Sequence, residues 1–270
     1  MTTKTNTIIT GILALSLTGC FSDEKSLYSI CGDSPQVCDD IKTQGWCKGE
    51  RTELIRNRYR QQTEPNNHKN LYDTLLTWKT FNACIEKASN IKRKKVTDRD
   101  PTKAATFVTS VLEIQKLEKL TKSSNYPDLL YYHWVEYGDD SKIDKLVSLD
   151  RKGKLNTSDL QFKMSTYYGK VNREKAVNSL LKGLSLLTES QLETLDHNVF
   201  ASLTTYYYQM KKLELSYTWA QVAVKFGLKA NLYSSLTVEL QRKDINLSEL
   251  DLKADDIYQS IQDLKFQYSK

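Results

Sequence analysis

Ser165-Thr166-Tyr167-Tyr168 and Thr204-Thr205-Tyr206-Tyr207 are one pattern met twice, 39 residues apart. At that offset Ala176 falls on Leu215, Leu180 on Trp219, Leu181 on Ala220 and Leu184 on Ala223. Each copy reads as a helix ending in aromatics, a short turn and a second amphipathic helix. Ser158 with Gln161 and Thr188 with Gln191 have capping-box spacing and are expected to open the two hairpins. Tyr131 to Leu149 reads as a third, degenerate copy. Helical hairpins recurring every roughly 34 to 47 residues stack as α-solenoids, since each buries its apolar face only against its neighbours. The expected fold is therefore all-α: helical hairpins stacked as a short α-solenoid, preceded by a disulfide-stapled N-terminal segment.

Working outward, residues 125–228 resemble the tetratricopeptide or Sel1-type helical repeats. Their full consensus of Trp, Gly and Pro is not reproduced here. Upstream, Leu71, Leu75, Trp78 and Ile85 recur at three- and four-residue steps and predict a helix that fades into Lys92-Arg93-Lys94-Lys95. Asp100-Pro101 has the form of a helix start, with Asp as cap and Pro in the first turn. The following helix carries Phe107, Val108, Val111 and Leu112, and stops near Lys122. Leu129 to Tyr137 predicts another, broken at Gly138. Between Arg51 and Arg60 lies a basic stretch of helical pattern. Downstream, Gly227 reads as a C-cap, Leu232 to Leu240 as a helix, and Ile257, Ile261 and Leu264 as the apolar face of the last one. Ten Gly and four Pro in 270 residues are too few for a turn-rich β fold.

At the N-terminus, Lys4 precedes an apolar run from Ile8 to Leu17, too short for a permanent bilayer span of roughly 20 residues. It ends in Leu17-Thr18-Gly19-Cys20, which resembles the lipobox of bacterial lipoproteins. That resemblance implies lipid on Cys20, cleavage before it, acylation of the new amine and export. It is similar in this to an uncharacterised family of gammaproteobacterial lipoproteins with no assigned activity. Phe21-Ser22, where such lipoproteins carry Asp when kept in the inner membrane, points to the outer membrane, facing the periplasm. Three segments are expected: 1–19 as signal, 20–66 as tether and cysteine-rich segment, and 67–270 as the helical repeat domain.

Removing residues 1–19 takes away one Lys and no acid, so the whole-chain balance of 39 basic against 33 acidic residues becomes 38 against 33. A basic chain outside the cytoplasm meets no chromosome, which sets nucleic acid aside; for the Lys92 run anionic headgroups are a more fitting partner, and a solvated helix end is the reading preferred over both. With Cys20 taken by lipid, Cys31, Cys38, Cys47 and Cys84 form an even set in an oxidising compartment, favouring two disulfides. Four cysteines allow three pairings. Cys31–Cys38 and Cys47–Cys84 are preferred because Gly32 to Val37 is rich in turn formers. Zinc is disfavoured, because the short Cys-x2-Cys pairs are missing.

The sequence carries no catalytic pattern of a known kind. His68, His133 and His197 form no metal-type pair, and neither a nucleophile elbow nor a phosphate-cradling glycine loop occurs. His133 among aromatics reads as a packed helix residue. Ser148 to Asp159 resembles an EF-hand loop, but Lys152 holds a ligand place and Asp159 replaces the bidentate Glu, so it reads as an inter-helix turn. No cofactor or metal is expected, and no enzyme activity. Sixteen tyrosines remain, clustered at 131–137, 167–168 and 206–208. Tyr168 and Tyr207 are the expected partner-binding positions, since Tyr serves where one end is buried and the other meets a partner. The function expected is that of a membrane-anchored periplasmic scaffold or adaptor holding an envelope protein, a peptide or a cell-wall component. The alternative is a cell-envelope hydrolase or cell-wall-modifying enzyme.

Overall fold

The computed structural model describes residues 25–43, 45–91, 101–230 and 234–268; among them are thirteen α-helices, one 3-10 turn and no strand. Leu17 to Ser22 (with Cys20), Lys92 to Lys95, Asp100 and Leu232 lie outside the described residues. No helix among the described residues is long and apolar enough to cross a membrane. The chain divides into two units, Met1–Pro65 with Leu76–Ile114, and Asn66–Leu75 with Gln115–Lys270.

In the first unit, α1 (Leu27–Asp33) begins at Ser26, whose side chain accepts the Ser29 backbone N–H. A 3-10 turn follows at Pro35–Val37. This helix and turn lie within the segment 20–66 expected as a cysteine-rich tether. The disulfides are Cys31–Cys38 and Cys47–Cys84, the pairing expected. The next helix, α2 (Lys48–Thr63), contains the predicted basic stretch, and the structure shows what its arginines do. Arg51 Nε donates to the Ile41 carbonyl and its Nη2 to that of Cys38. Arg58 donates to the carbonyls of Gln36 and Val37, holds Asp40 through both carboxylate oxygens, and lies over the Trp78 ring. A loop too short for its own ladder thus has its carbonyls satisfied by guanidinium groups, which are suited to forked donation. The Cys47–Cys84 bond joins this loop to α3 (His68–Ser89). Lys103, on α4 (Pro101–Thr121), is buried with its ammonium on the Ala88 carbonyl, at the negative end of α3.

The second unit is built of hairpins. Successive helices are α5 (Pro127–Tyr137), α6 (Asp140–Arg151), α7 (Ser158–Val171), α8 (Arg173–Ser185), α9 (Glu189–Glu193), α10 (Asn198–Gln209), α11 (Leu213–Lys225), α12 (Ser234–Gln241) and α13 (Leu247–Gln262). The pairs α5–α6, α7–α8 and α10–α11 pack as neighbours, α8 lies on α10, and α13 packs on α11. Gly138 ends α5 with φ +65°, a left-handed conformation in which a Cβ is strained. Two caps differ from expectation. The first repeat hairpin is capped by Thr157, whose side chain accepts the Leu160 N–H; Ser158 is the first helical residue and is buried. Gln161 turns inward instead and donates to the Leu155 carbonyl and Asp150. Thr188 and Gln191 do form a capping box, but it opens the five-residue α9, and α10 starts after His197.

The internal repeat has a register change. In the first helices of the two hairpins, buried Leu160, Gln161, Met164, Ser165 and Tyr168 fall 39 residues before buried Val199, Phe200, Leu203, Thr204 and Tyr207. In the second helices that offset fails: Ala176 is fully buried, whereas Leu215 is 44% exposed. An offset of 40 restores the match, placing Ala176, Val177, Ser179, Leu180 and Gly183 on Ser216, Tyr217, Trp219, Ala220 and Ala223, all buried. Trp219 therefore stands where Ser179 stands, and Leu180 pairs with Ala220. The cause lies in the turns. Asn172 alone joins α7 to α8, whereas Met210, Lys211 and Lys212 join α10 to α11, with Lys211 at φ +62°.

Candidate functional site

A cleft of about 500 Å3 lies in the second unit and is lined by Gln115, Glu118, Lys119, Lys122, His133, Tyr137 and Asp139. Two stretches of helix supply it. Glu118, Thr121 and Lys122 sit one turn apart at the end of α4, and His133 and Tyr137 sit one turn apart on α5. Pro127 in the first turn of α5 fixes where that helix begins, and Asp139 caps α6 by accepting the Ser141 N–H.

At the floor of the cleft, Thr121 Oγ1 lies 3.0 Å from His133 Nε2. The Thr121 hydroxyl donates to the Leu117 carbonyl at 2.8 Å, which leaves its oxygen able to accept from the imidazole. His133 is buried, and burial, with Lys142 nearby, pushes its pKa down, so the neutral ring is the resting form. The Tyr137 ring stacks on it with centroids 5.8 Å apart, while Tyr137 itself is 57% exposed.

Beside the imidazole, Glu118 gathers two phenols. Tyr132 donates to its Oε1 at 2.6 Å, and Tyr137 stands close enough for the same carboxylate to act on its phenol. Burial first, and then the carboxylate, raise both phenols, Tyr137 to about 12. Both therefore stay protonated at any physiological pH. Lys142 is buried with its ammonium on the Lys122 carbonyl, closing off the end of α4. The outcome is a cleft with a fixed polar floor, a stacked aromatic wall and the two lysines 119 and 122 at its mouth. Its chemistry suits recognition: hydrogen bonding, stacking and ion pairing with a docked group.

The residues singled out in the sequence are placed elsewhere. Tyr168 and Tyr207 are only 3% and 7% exposed, and each belongs to a packed core. Tyr168 donates to Asp150, the would-be calcium ligand, which also accepts from Gln161; Asp159 is taken by Lys163. Neither tyrosine forms a surface, because the inward faces of α7 and α10 carry them into the hairpin interior. Their neighbour Tyr208 is the exposed one, at 44%. Lys163 itself is held between Asp128 and Asp159, with Tyr72 adding a contact; burial opposes its charge, and the two carboxylates outweigh that and raise its pKa.

Among the described residues, Cys47, Glu50 and Cys84 bring three donor atoms close enough for a metal, but both sulfurs are spent in the disulfide and offer no thiolate. The cleft residues that sequence reading passed over, Gln115, Glu118 and Lys119, were visible only as spacings of three and four. Nothing in the chain alone says that the end of α4 meets α5. No curated protein and no solved structure matches the chain. Residues 17–221, well over half of the 270, match the family described as Protein of unknown function (DUF2989), and the chain belongs to that family.

Proposed function

We propose that this protein is a lipoprotein, anchored through Cys20 in the outer membrane and facing the periplasm, that serves as a scaffold or adaptor. Its partner is an envelope protein, a peptide or a cell-wall component, and the cleft of His133 and Tyr137 is the place of contact. The observation carrying this reading is the half-exposed Tyr137 ring, stacked on His133 beside two lysines. An aromatic fixed before binding loses little conformational freedom when a partner arrives. The layout of hairpin after hairpin supports the tetratricopeptide-like interpretation, since such arrays serve as binding surfaces.

The test is site-specific photo-crosslinking in the lipidated protein, with a benzophenone amino acid at Tyr137 and, as control, at exposed Tyr208. A discrete adduct from position 137 alone, lost on Lys119→Glu/Lys122→Glu substitution, is the expected result. The same adducts from both positions would remove the cleft from the reading. Anchoring is checked separately: Cys20→Ser is expected to leave the membrane fraction, and continued sedimentation in detergent-free buffer would place the anchor elsewhere. Recovery of the wild type mainly with inner-membrane markers would overturn the outer-membrane assignment.

A further inference from the structure

The first unit holds a second cavity, of about 490 Å3, and its lining is of one sign: Lys42, Lys48 and Arg51 with Thr43, Thr52 and Gly45. Arg51 is already anchored, since Nε and Nη2 are spent on the Ile41 and Cys38 carbonyls; its Nη1 makes no hydrogen bond among the described residues. The nearby acids that act on it are Asp39 and Asp40, and Asp40 is held by Arg58 through both oxygens. Thr43 is only 6% exposed, yet its hydroxyl has no bonded partner among the described residues, and it faces the cavity. The α2 helix starts beside this space from Cys47, with no side chain capping its first N–H groups. Between Lys42 and Lys48 stands Trp46, 40% exposed, with the Lys103 ammonium over its ring.

An unpartnered hydroxyl on a buried residue, a guanidinium with one unspent nitrogen and two exposed lysines line one space. We propose that this cavity is a site for a phosphate group, bound as an oxyanion by Lys42, Lys48, Arg51 Nη1 and the Thr43 hydroxyl. A tetrahedral oxyanion can use all four donors at once, whereas a lone carboxylate has two oxygens to share among them. The phosphate can be that of an anionic phospholipid headgroup or free inorganic phosphate. Trp46 suits the headgroup, because indole rings favour the membrane–water interface. The site is independent of the partner cleft, and only the lipid source rests on the anchoring reading.

The test uses the mature full-length chain carrying Cys20→Ser, so that acyl chains cannot hold it to a bilayer. Co-sedimentation is measured with vesicles of phosphatidylglycerol and of phosphatidylcholine, and binding of inorganic phosphate by calorimetry. Lys42→Gln/Lys48→Gln is expected to weaken phosphatidylglycerol binding about 30-fold, taking each lysine near the surface at its usual contribution. Lys154→Gln/Lys229→Gln makes the same charge change at exposed places in the second unit and is expected to leave binding unchanged. Thr43→Val keeps the shape of the site and is expected to lower affinity with the thermal melt retained. Phosphate binding sensitive to Thr43→Val, without vesicle binding, would support the site and assign it to the free ion. Equal losses in the two double variants, or no phosphate and no vesicle binding in any form, would overturn the proposal.

Discussion

A methyl group added at Gly183 would stand 2.4 Å from the Phe162 ring, and one at Gly169 would stand 2.1 Å from the Tyr206 hydroxyl. The shorter contact is the cheaper one. It falls mainly on the phenol oxygen of Tyr206, a half-buried ring at the edge of two core clusters, while at Gly183 two carbons of the Phe162 ring stand within 2.6 Å. Alanine gains about 1 kcal/mol over glycine within a helix, and overpacking costs about 1–3 kcal/mol. Gly169→Ala is therefore expected to be near neutral and Gly183→Ala to lose about 1–2 kcal/mol in urea unfolding; equal effects would refute this account. His133 gives a pH signature. Its pKa in the fold lies below its ordinary value, so on acidification the unfolded chain takes up the proton first. Stability is then fully present above about pH 6.5 and declines as pH falls through that value toward the folded pKa. Lys142 pushes the imidazole toward neutrality, while Glu118 and Asp139 oppose it. The urea midpoint is expected to drop between pH 7.5 and 5.5 more in the wild type than in His133→Asn, and parallel curves would contradict the buried neutral ring.

Among the elements, the two disulfides close loops of very different length, with sequence separations of 7 and 37. If stabilisation follows loop closure in the unfolded chain, the short bond contributes about 2.5 kcal/mol and the long one about 4 kcal/mol. Cys47→Ser/Cys84→Ser should thus unfold at lower denaturant than Cys31→Ser/Cys38→Ser, and the reverse order would show that native packing, not chain entropy, decides. The pairing was legible because turn formers crowd between Cys31 and Cys38. The helices were legible wherever apolar spacing ran long, as at Leu71, Leu75, Trp78 and Ile85, all but fully buried save Leu71 at 5%. What sequence hid was local hydrogen-bond choice. Thr157 and Ser158 are equally good caps, and the matter is settled by Ser158 being needed inside, at 2% exposure. The short α1 escaped notice because seven residues present fewer than two turns of any period.

For the whole molecule, the second repeat hairpin carries a stacked aromatic core. Phe200 stacks between Phe226 and Trp219, with ring centroids at 4.3 and 6.3 Å. Trp219→Ala is expected to cost about 3–5 kcal/mol, read by the melt of helical circular dichroism, and an unchanged melt would deny Trp219 its place in that core. Tyr168 and Tyr207 illustrate why the binding surface was harder to read than the fold. The periodicity that marks a residue as facing a neighbouring helix says nothing about which aromatics are left over for a visitor. One step in the turn before α11 reaches further than packing. Because the second hairpin carries its extra residues in the Met210 to Lys212 turn, its two helices do not repeat the first pair with a single period. Laying α7–α8 on α10–α11 with one offset would align the first helix and rotate the second by about 100°, one residue of helix. A further hairpin would pack in the same register only if it brought a turn of matching length, so the connectors, and not the helices, set the period of this architecture.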